Sequence, residues 1–343
     1  MRPLKSSEPA AAGAEARPGR ALVRNLLPLA LLLAAFLLVA LHTGLADTFA
    51  AISSVSVATL ALMLAASACN YAARSVRWFL MFRFVAPRAP GSALRTLPRQ
   101  FIVYLAGFAF TLTPGRAGEL IRAWLARRSF DTPVATGLSL VIADRFYDAI
   151  ALAIILLVVG AMLGGFSLAA GITIAVLAAG IVIAGWLSSS SGLWGRAANA
   201  VPKLSGLVTG LQSAIVQFSL VSRPRMLPVL TLASLAGWGI QGLAPAIVLR
   251  DMGFGLGIRD SVFMFALATL VGGASFLPGG LGGFEATMIA LLVAKGVPVA
   301  TAVAATLLIR FTTLGLGIAL GLTMLAVWSY AWRYTSGDPR DAG

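Results

Sequence analysis

Cysteine is nearly absent from this chain. Cys69 stands alone among 343 residues, which excludes a disulfide framework and a cysteine metal site. Histidine is equally scarce: His42 is the only one, near the end of an apolar run, where a structural or interfacial role fits best. Charge is thin as well. Asp, Glu, Lys and Arg make up 11% of the residues, against roughly 25% in a soluble domain. No G-x-S-x-G, no H-E-x-x-H and no His- or Cys-rich cluster occurs, so no catalytic residues, no metal ligands and no cofactor are expected.

What the chain has in excess is apolar sequence, 59% of all residues, in runs long enough to cross hydrocarbon. An all-α integral membrane protein is the class this dictates, because only helices satisfy their own backbone in separate apolar segments. The formal charge of +14 comes from basic residues placed mostly beside apolar runs. They read as signals for the cytoplasmic side and as contacts to anionic lipid, not as a nucleic-acid surface.

The pattern predicts six transmembrane spans and two re-entrant helical hairpins. Residues 1–24 form a disordered basic cytoplasmic tail, 25–335 a single polytopic membrane domain and 336–343 a short cytoplasmic tail. The spans are Leu26–Ala46, Ile52–Tyr71, Pro133–Leu163, Phe166–Leu187, Met226–Leu249 and Pro298–Trp328. Arg74, Arg77, Arg83, Arg88, Arg95 and Arg99 form a basic patch after the second span, which puts both termini in the cytoplasm. Arg127 and Arg128 read the same way. Trp78, Trp124, Trp186, Trp328 and Trp332 look like interface anchors, and residues 192–221 like an amphipathic helix lying along the cytoplasmic face.

Two segments, about 100–128 and 262–295, are too short in each arm to span and are broken by glycine and proline. Phe101–Thr113 stops at "TPGRAGE" and Val262–Phe276 stops at "LPGGLGGFE". Each hairpin precedes a span opening in "PVAT", at Pro133 and at Pro298, with Arg-Phe twelve positions on. The first hairpin enters from the cytoplasm and the second from the opposite face, the mark of inverted-topology repeats.

The breaks carry the candidate substrate-binding residues. Gly115, Gly118, Gly279, Gly280 and Gly282 free backbone N–H groups at helix starts, where a phosphate or carboxylate is welcome. Arg116 sits at the first turn. Arg145 and Arg310 occupy equivalent mid-membrane depths, where an unpaired charge costs about 3 kcal/mol or more, so Glu119 and Glu285 are their expected partners. Asp144 and Asp148 share a helix face, as a structural pair or a proton relay.

"LTPGRAGELIRAWLARR", "ADRFYDAIAL", "FLPGGLGGFEATMIALL" and "LLIRFTTLGLG" together resemble the flippase-like transmembrane region of lysylphosphatidylglycerol synthases and its stand-alone relatives. The resemblance covers roughly 25–330. It implies movement of a lipid between leaflets of the bacterial inner membrane: an anionic phospholipid, or a polyprenyl- or hopanoid-type lipid. Arg116, Glu119, Asp144, Arg145, Glu285 and Arg310 match the polar positions of its motifs. The soluble aminoacyl-transferase domain of bifunctional members is missing, so lysyl transfer is not expected. Membrane lipids with anionic head groups are the expected partners, with a lipid-modifying synthase or glycosyltransferase as a second class and no nucleic acid. Two alternatives stand beside lipid movement: a secondary transporter of a small organic anion, and a scaffold that presents lipid to an enzyme.

Overall fold

The structure is a computed structural model that describes residues 45–85, 93–113, 118–164, 191–200 and 225–333, with positions 171, 208, 212–213, 216 and 218 between them. Everything regular among the described residues is helical. In chain order the helices are α1 (Leu45–Ser53), α2 (Val57–Val85), α3 (Ala93–Ala106), α4 (Ile121–Phe130), α5 (Val134–Met162), α6 (Ser191–Ala200), α7 (Leu227–Gln241), α8 (Ala244–Asp251), α9 (Ile258–Ala274), α10 (Gly283–Ala294), α11 (Val299–Arg310) and α12 (Leu316–Arg333).

Four stretches among the described residues are long and apolar enough to cross a membrane: Val57–Val85, Val134–Met162, Leu227–Asp251 and Val299–Ala331. Each overlaps one of the six predicted spans, although Val57–Val85 starts later than the predicted Ile52–Tyr71 and runs well past it. The other two, Leu26–Ala46 and Phe166–Leu187, fall almost entirely outside the described residues, as do both tails. Of the amphipathic segment at 192–221, α6 is the described start. Two predicted spans are internally irregular. Leu227–Asp251 breaks at Gly242–Leu243, just ahead of α8, which carries Pro245 in its first turn. Between α11 and α12 the chain makes a π-helical turn, Phe311–Gly315, directly after Arg310.

The repeated "PVAT" adopts the same local structure twice. Pro133 has φ −53° and ψ 139°, and Pro298 has φ −56° and ψ 144°. Each proline lies just outside its helix, and its carbonyl accepts the first helical bond, from Gly137 N at 3.2 Å and from Ala302 N at 2.9 Å. The segment before each is a pair of short helices with an irregular joint. α3 runs into a 3₁₀ turn, Gly107–Phe110, and α4 follows. α9 runs into a 3₁₀ turn, Pro278–Gly280, and α10 packs back against α9.

Packing crosses between the halves. α5, the long helix after the first pair, packs on α9 of the second. α12, which closes the second half, packs on α3 and its 3₁₀ turn. α2 lies against α7. Two apolar cores result. Trp78, Phe82, Tyr104, Leu125, Leu140 and Tyr147 belong to one, and Met63, Leu152, Leu156, Met264, Met288 and Ile309 to the other. Both α2 and α5 feed both cores. On α2, Arg74 and Arg77 lie between Met63 of one core and Trp78 of the other, and the carboxylates of α5 sit near the same junction. Trp78 is fully buried here, not an interface anchor, whereas Trp124 is partly exposed and stacks on Trp328 with ring centroids 5.5 Å apart.

The second joint depends on glycine geometry. Gly280 has φ +70°, and a Cβ there would lie 3.0 Å from the Gly272 carbonyl carbon on α9. Gly296 also has positive φ, +84°, but opens onto free space. Gly280→Ala therefore adds backbone strain and overpacking, and should destabilise by about 2–4 kcal/mol. Gly296→Ala adds strain alone, about 1 kcal/mol. Thermal unfolding of the two variants in detergent checks this: equal midpoints would contradict the close approach of the joint to α9.

Candidate functional site

The face of α2 that meets α7 is polar at Ser67, Asn70, Arg74 and Arg77, positions spaced to stack along one side of a helix, and all are buried. α7 answers with Ser234, Trp238 and Gln241, also buried. Asn70 donates to Gln241 Oε1 at 2.9 Å, and Gln241 donates to Ser67 Oγ at 2.7 Å. Arg77 donates to Ser234 Oγ. The interhelical contact is thus a chain of hydrogen bonds, the device that replaces hydrophobic attraction inside a bilayer.

Arg74 and Arg77 reach from this seam to α5. Arg74 Nη2 donates to Asp148 Oδ2 at 2.8 Å and lies 3.7 Å from Asp144 Oδ2. Arg77 pairs with Asp144 and, at 2.8 Å, with Asp148 Oδ1. Trp238 Nε1 donates to Asp148 at 3.0 Å. From the other side come Arg122 of α4, 3.4 Å from Asp144 and 3.2 Å from Glu119, and Arg145, 2.6 Å from Asp144 and 3.3 Å from Glu119. Asp144 therefore touches four guanidiniums and is wholly buried. Rings complete the cage: Arg122 lies 4.4 Å from the centroids of both Tyr104 and Phe108, and Arg74 stands 5.3 Å from Phe108 and 5.2 Å from Trp238.

The second joint has its own, simpler pair. Glu285, three residues into the Gly282-capped helix, accepts the Gly282 N–H at 2.6 Å with one oxygen and Arg310 Nε with the other. Arg310 Nη2 also donates to the Gly279 carbonyl at 2.9 Å. One salt bridge thus fixes the turn "LPGGLGGFE" from inside. The π turn after Arg310 frees carbonyls that are answered locally and across the bundle: Thr313 Oγ1 donates to Ile309 O at 2.7 Å, and Tyr71 donates to Thr313 O at 3.0 Å.

Between the two sets lies a cavity of about 60 Å³, room for a few waters or one small polar group. Arg74 and Arg310 line it from opposite halves. Its walls also hold Phe108 and Thr111 from the end of the first joint, and Gly272, Gly279 and Gly280 from the second.

The expected pairs Arg145–Glu119 and Arg310–Glu285 both occur, but in unlike settings. Arg310 lines the cavity. Arg145 is not among its lining residues, and the wall facing Arg310 carries Arg74 instead. Arg74 and Arg77 are buried, not part of an exposed basic patch, whereas Arg83, Arg127 and Arg128 are exposed. Asp144 and Asp148 are both engaged by arginines. Gly118 donates its N–H to Thr113 Oγ1 and packs so tightly on Phe110 that any side chain would collide. Gly115 and Arg116 lie outside the described residues. The N-terminus of α10, expected to welcome an external anion, is occupied in part by Glu285 itself.

Sequence reasoning missed Arg74, Arg77 and Arg122 as interior groups. The signals were present. Aromatic and apolar residues continue past Tyr71 to Val85, and Arg122 stands one turn after Glu119. Removing Arg122 leaves two carboxylates short of a partner in a closed interior. Arg122→Met should cost about 3–5 kcal/mol. Lys295→Ala, which breaks only the partly exposed pair with Asp260 at 2.7 Å, should cost at most about 1 kcal/mol. Thermal midpoints compare the two, and a larger loss for Lys295→Ala would contradict the assignment of the buried cluster as a structural hub.

A UPF0104 membrane protein of Methanothermobacter thermautotrophicus is 27% identical over 241 residues, covering 64% of this chain and 71% of its own. A UPF0104 membrane protein of Methanocaldococcus jannaschii is 26% identical over 212 residues, covering 59% of this chain and 86% of its own. Residues 25–321, which carry both helix joints, both "PVAT" openings and every arginine of the buried set, match the lysylphosphatidylglycerol synthase TM region, and this multi-pass membrane protein belongs to that family.

Proposed function

We propose that this protein moves an anionic lipid between the leaflets of the bacterial inner membrane, as a flippase or scramblase. The observation that carries the reading is the cavity between the turn that follows α3 and the glycine turn Pro278–Gly280, with Arg74 on one wall and Arg310 on the other. Arg74 and Arg310 hold salt bridges and also border a water-sized space, and intramembrane ionisable groups mark substrate paths by default. The family match is consistent with lipid handling.

In this reading the two joints are the tips of re-entrant hairpins, one from each face, and the halves are inverted repeats within six spans, with both termini cytoplasmic. The identical geometry at Pro133 and Pro298 and the crosswise packing of α5 on α9 and α12 on α3 support that arrangement. The head group travels through the polar interior between the repeats while its hydrocarbon chains stay in lipid. Rocking of one half against the other exposes the cavity to each face in turn. The irregular turn at Phe311–Gly315 is a natural hinge, because it sits directly after Arg310 and already departs from regular helix. A lipid-modifying synthase or glycosyltransferase would supply or consume the lipid.

Reconstitution into liposomes with fluorescent anionic lipids tests the reading. Wild-type protein should bring lipid from the inner leaflet to a membrane-impermeant quencher. Arg310→Ala, reconstituted at the same yield, should slow this at least about tenfold, a loss equivalent to about 1.4 kcal/mol in the barrier. Movement at the wild-type rate in Arg310→Ala would contradict the proposed path.

A further inference from the structure

Tyr71 joins two sides of the cavity. Its hydroxyl donates to the carbonyl of Thr313, inside the π turn, at 3.0 Å. Its ring meets Phe108 of the first joint edge-on, with centroids 4.9 Å apart. Tyr71, Phe108 and Thr313 all line the cavity. One side chain of α2 thus touches both the turn after α3 and the turn after Arg310.

The start of α12 is shaped around that bond. A Cβ at Gly317 would collide with the Tyr71 hydroxyl oxygen and would stand 2.9 Å from Cζ of the same ring. Four residues on, and so on the same helix face, a Cβ at Gly321 would collide with the backbone of Ala109 in the first joint. Glycine inside a helix destabilises it relative to alanine, and the helical backbone at these two positions does not demand it. What glycine provides here is close approach: α12 lies flush against Tyr71 and the first joint.

Within the π turn the threonines bond their own helix. Thr312 donates to the Leu308 carbonyl at 2.9 Å and Thr313 to the Ile309 carbonyl at 2.7 Å. The Tyr71 hydroxyl reaches the turn from a separate helix, so it is a bond that movement of the turn relative to α2 must break.

We propose that Tyr71 is a latch: its hydroxyl holds the π turn against the first joint, and release of that bond opens the cavity. The latch rests on the transport reading for what the opening serves. Its effect on access to the cavity is independent of any lipid.

Cysteine access in detergent tests it, in the full chain with Cys69 replaced by serine. The reporter is Thr111→Cys, at a buried position on the cavity wall. The control is Ala126→Cys, wholly buried in the first core and not among the residues that line the cavity. A small water-soluble methanethiosulfonate should modify the reporter about fivefold faster when Tyr71→Phe removes the hydroxyl, the effect of one hydrogen bond lost from the closed state. The control should react no faster. Gly317→Ala, which pushes the hydroxyl off the turn, should speed the reporter at least as much. Tyr71→Ala removes the collision, so Gly317→Ala added to it should change the reporter rate little further. An unchanged reporter rate in Tyr71→Phe overturns the latch. An equal rise at the control overturns it too, since that marks general loosening. If Gly317→Ala does not fold, Tyr71→Phe decides alone. The expected reporter rates, with no lipid movement by wild type in liposomes, would keep the latch and sink the transport reading. Lipid movement with an unchanged reporter rate would do the reverse.

Discussion

One carboxylate holds the interior together. Asp144 is wholly buried and lies within ion-pair distance of Arg74, Arg77, Arg122 and Arg145, which come from three separate helical segments. Each member of this cluster is shared by two or more partners, so withdrawing one disturbs several ion pairs at once in a low-dielectric interior. The helices it joins, α2, α4 and α5, are therefore held in register by charge as well as by the apolar core they share. The chain of amides and hydroxyls from Ser67 through Gln241 and Asn70 extends the same principle to α7.

The second half is built with less. A single pair, Arg310 with Glu285, ties α11 to the glycine turn and leaves the π turn beside it. A densely bridged first half and a lightly bridged second half meet across the cavity, and each sends a long helix onto the other's broken pair. This asymmetry, many ion pairs on one side and one on the other, is what the proposed rocking of the halves would draw on.

The sequence told most about what its punctuation could express. "PVAT", the Pro-Gly breaks and the two Arg-Phe positions located both joints, the helices after them and the pairs Arg145–Glu119 and Arg310–Glu285, because repeats fix equivalence without knowledge of packing. It misjudged Arg74 and Arg77. Basic residues after an apolar run ordinarily mark the cytoplasmic edge, and only the three-dimensional meeting of α2 with α5 reveals carboxylates waiting for them. Trp78 misled for the same reason, since an aromatic next to arginines reads as an interface belt. The irregularity after Arg310 was not legible at all: Phe311–Gly315 carries no proline, and the Tyr71 bond to the Thr313 carbonyl comes from a helix distant in sequence.

The central claim is that the first joint and the π turn, which meet at Gly279 of the second joint, border the path and must separate for a head group to pass. Leu112, after the first joint's 3₁₀ turn, and Leu314, in the π turn, both approach Gly279, at 3.1 and 3.5 Å from where its Cβ would stand. With Cys69 replaced by serine, cysteines at Leu112 and Leu314 can be bridged by a short reversible bifunctional thiol reagent in liposomes. Lipid movement should stop on bridging and return on reduction. Movement that continues at the unbridged rate, with bridging shown complete by mass, would contradict the account.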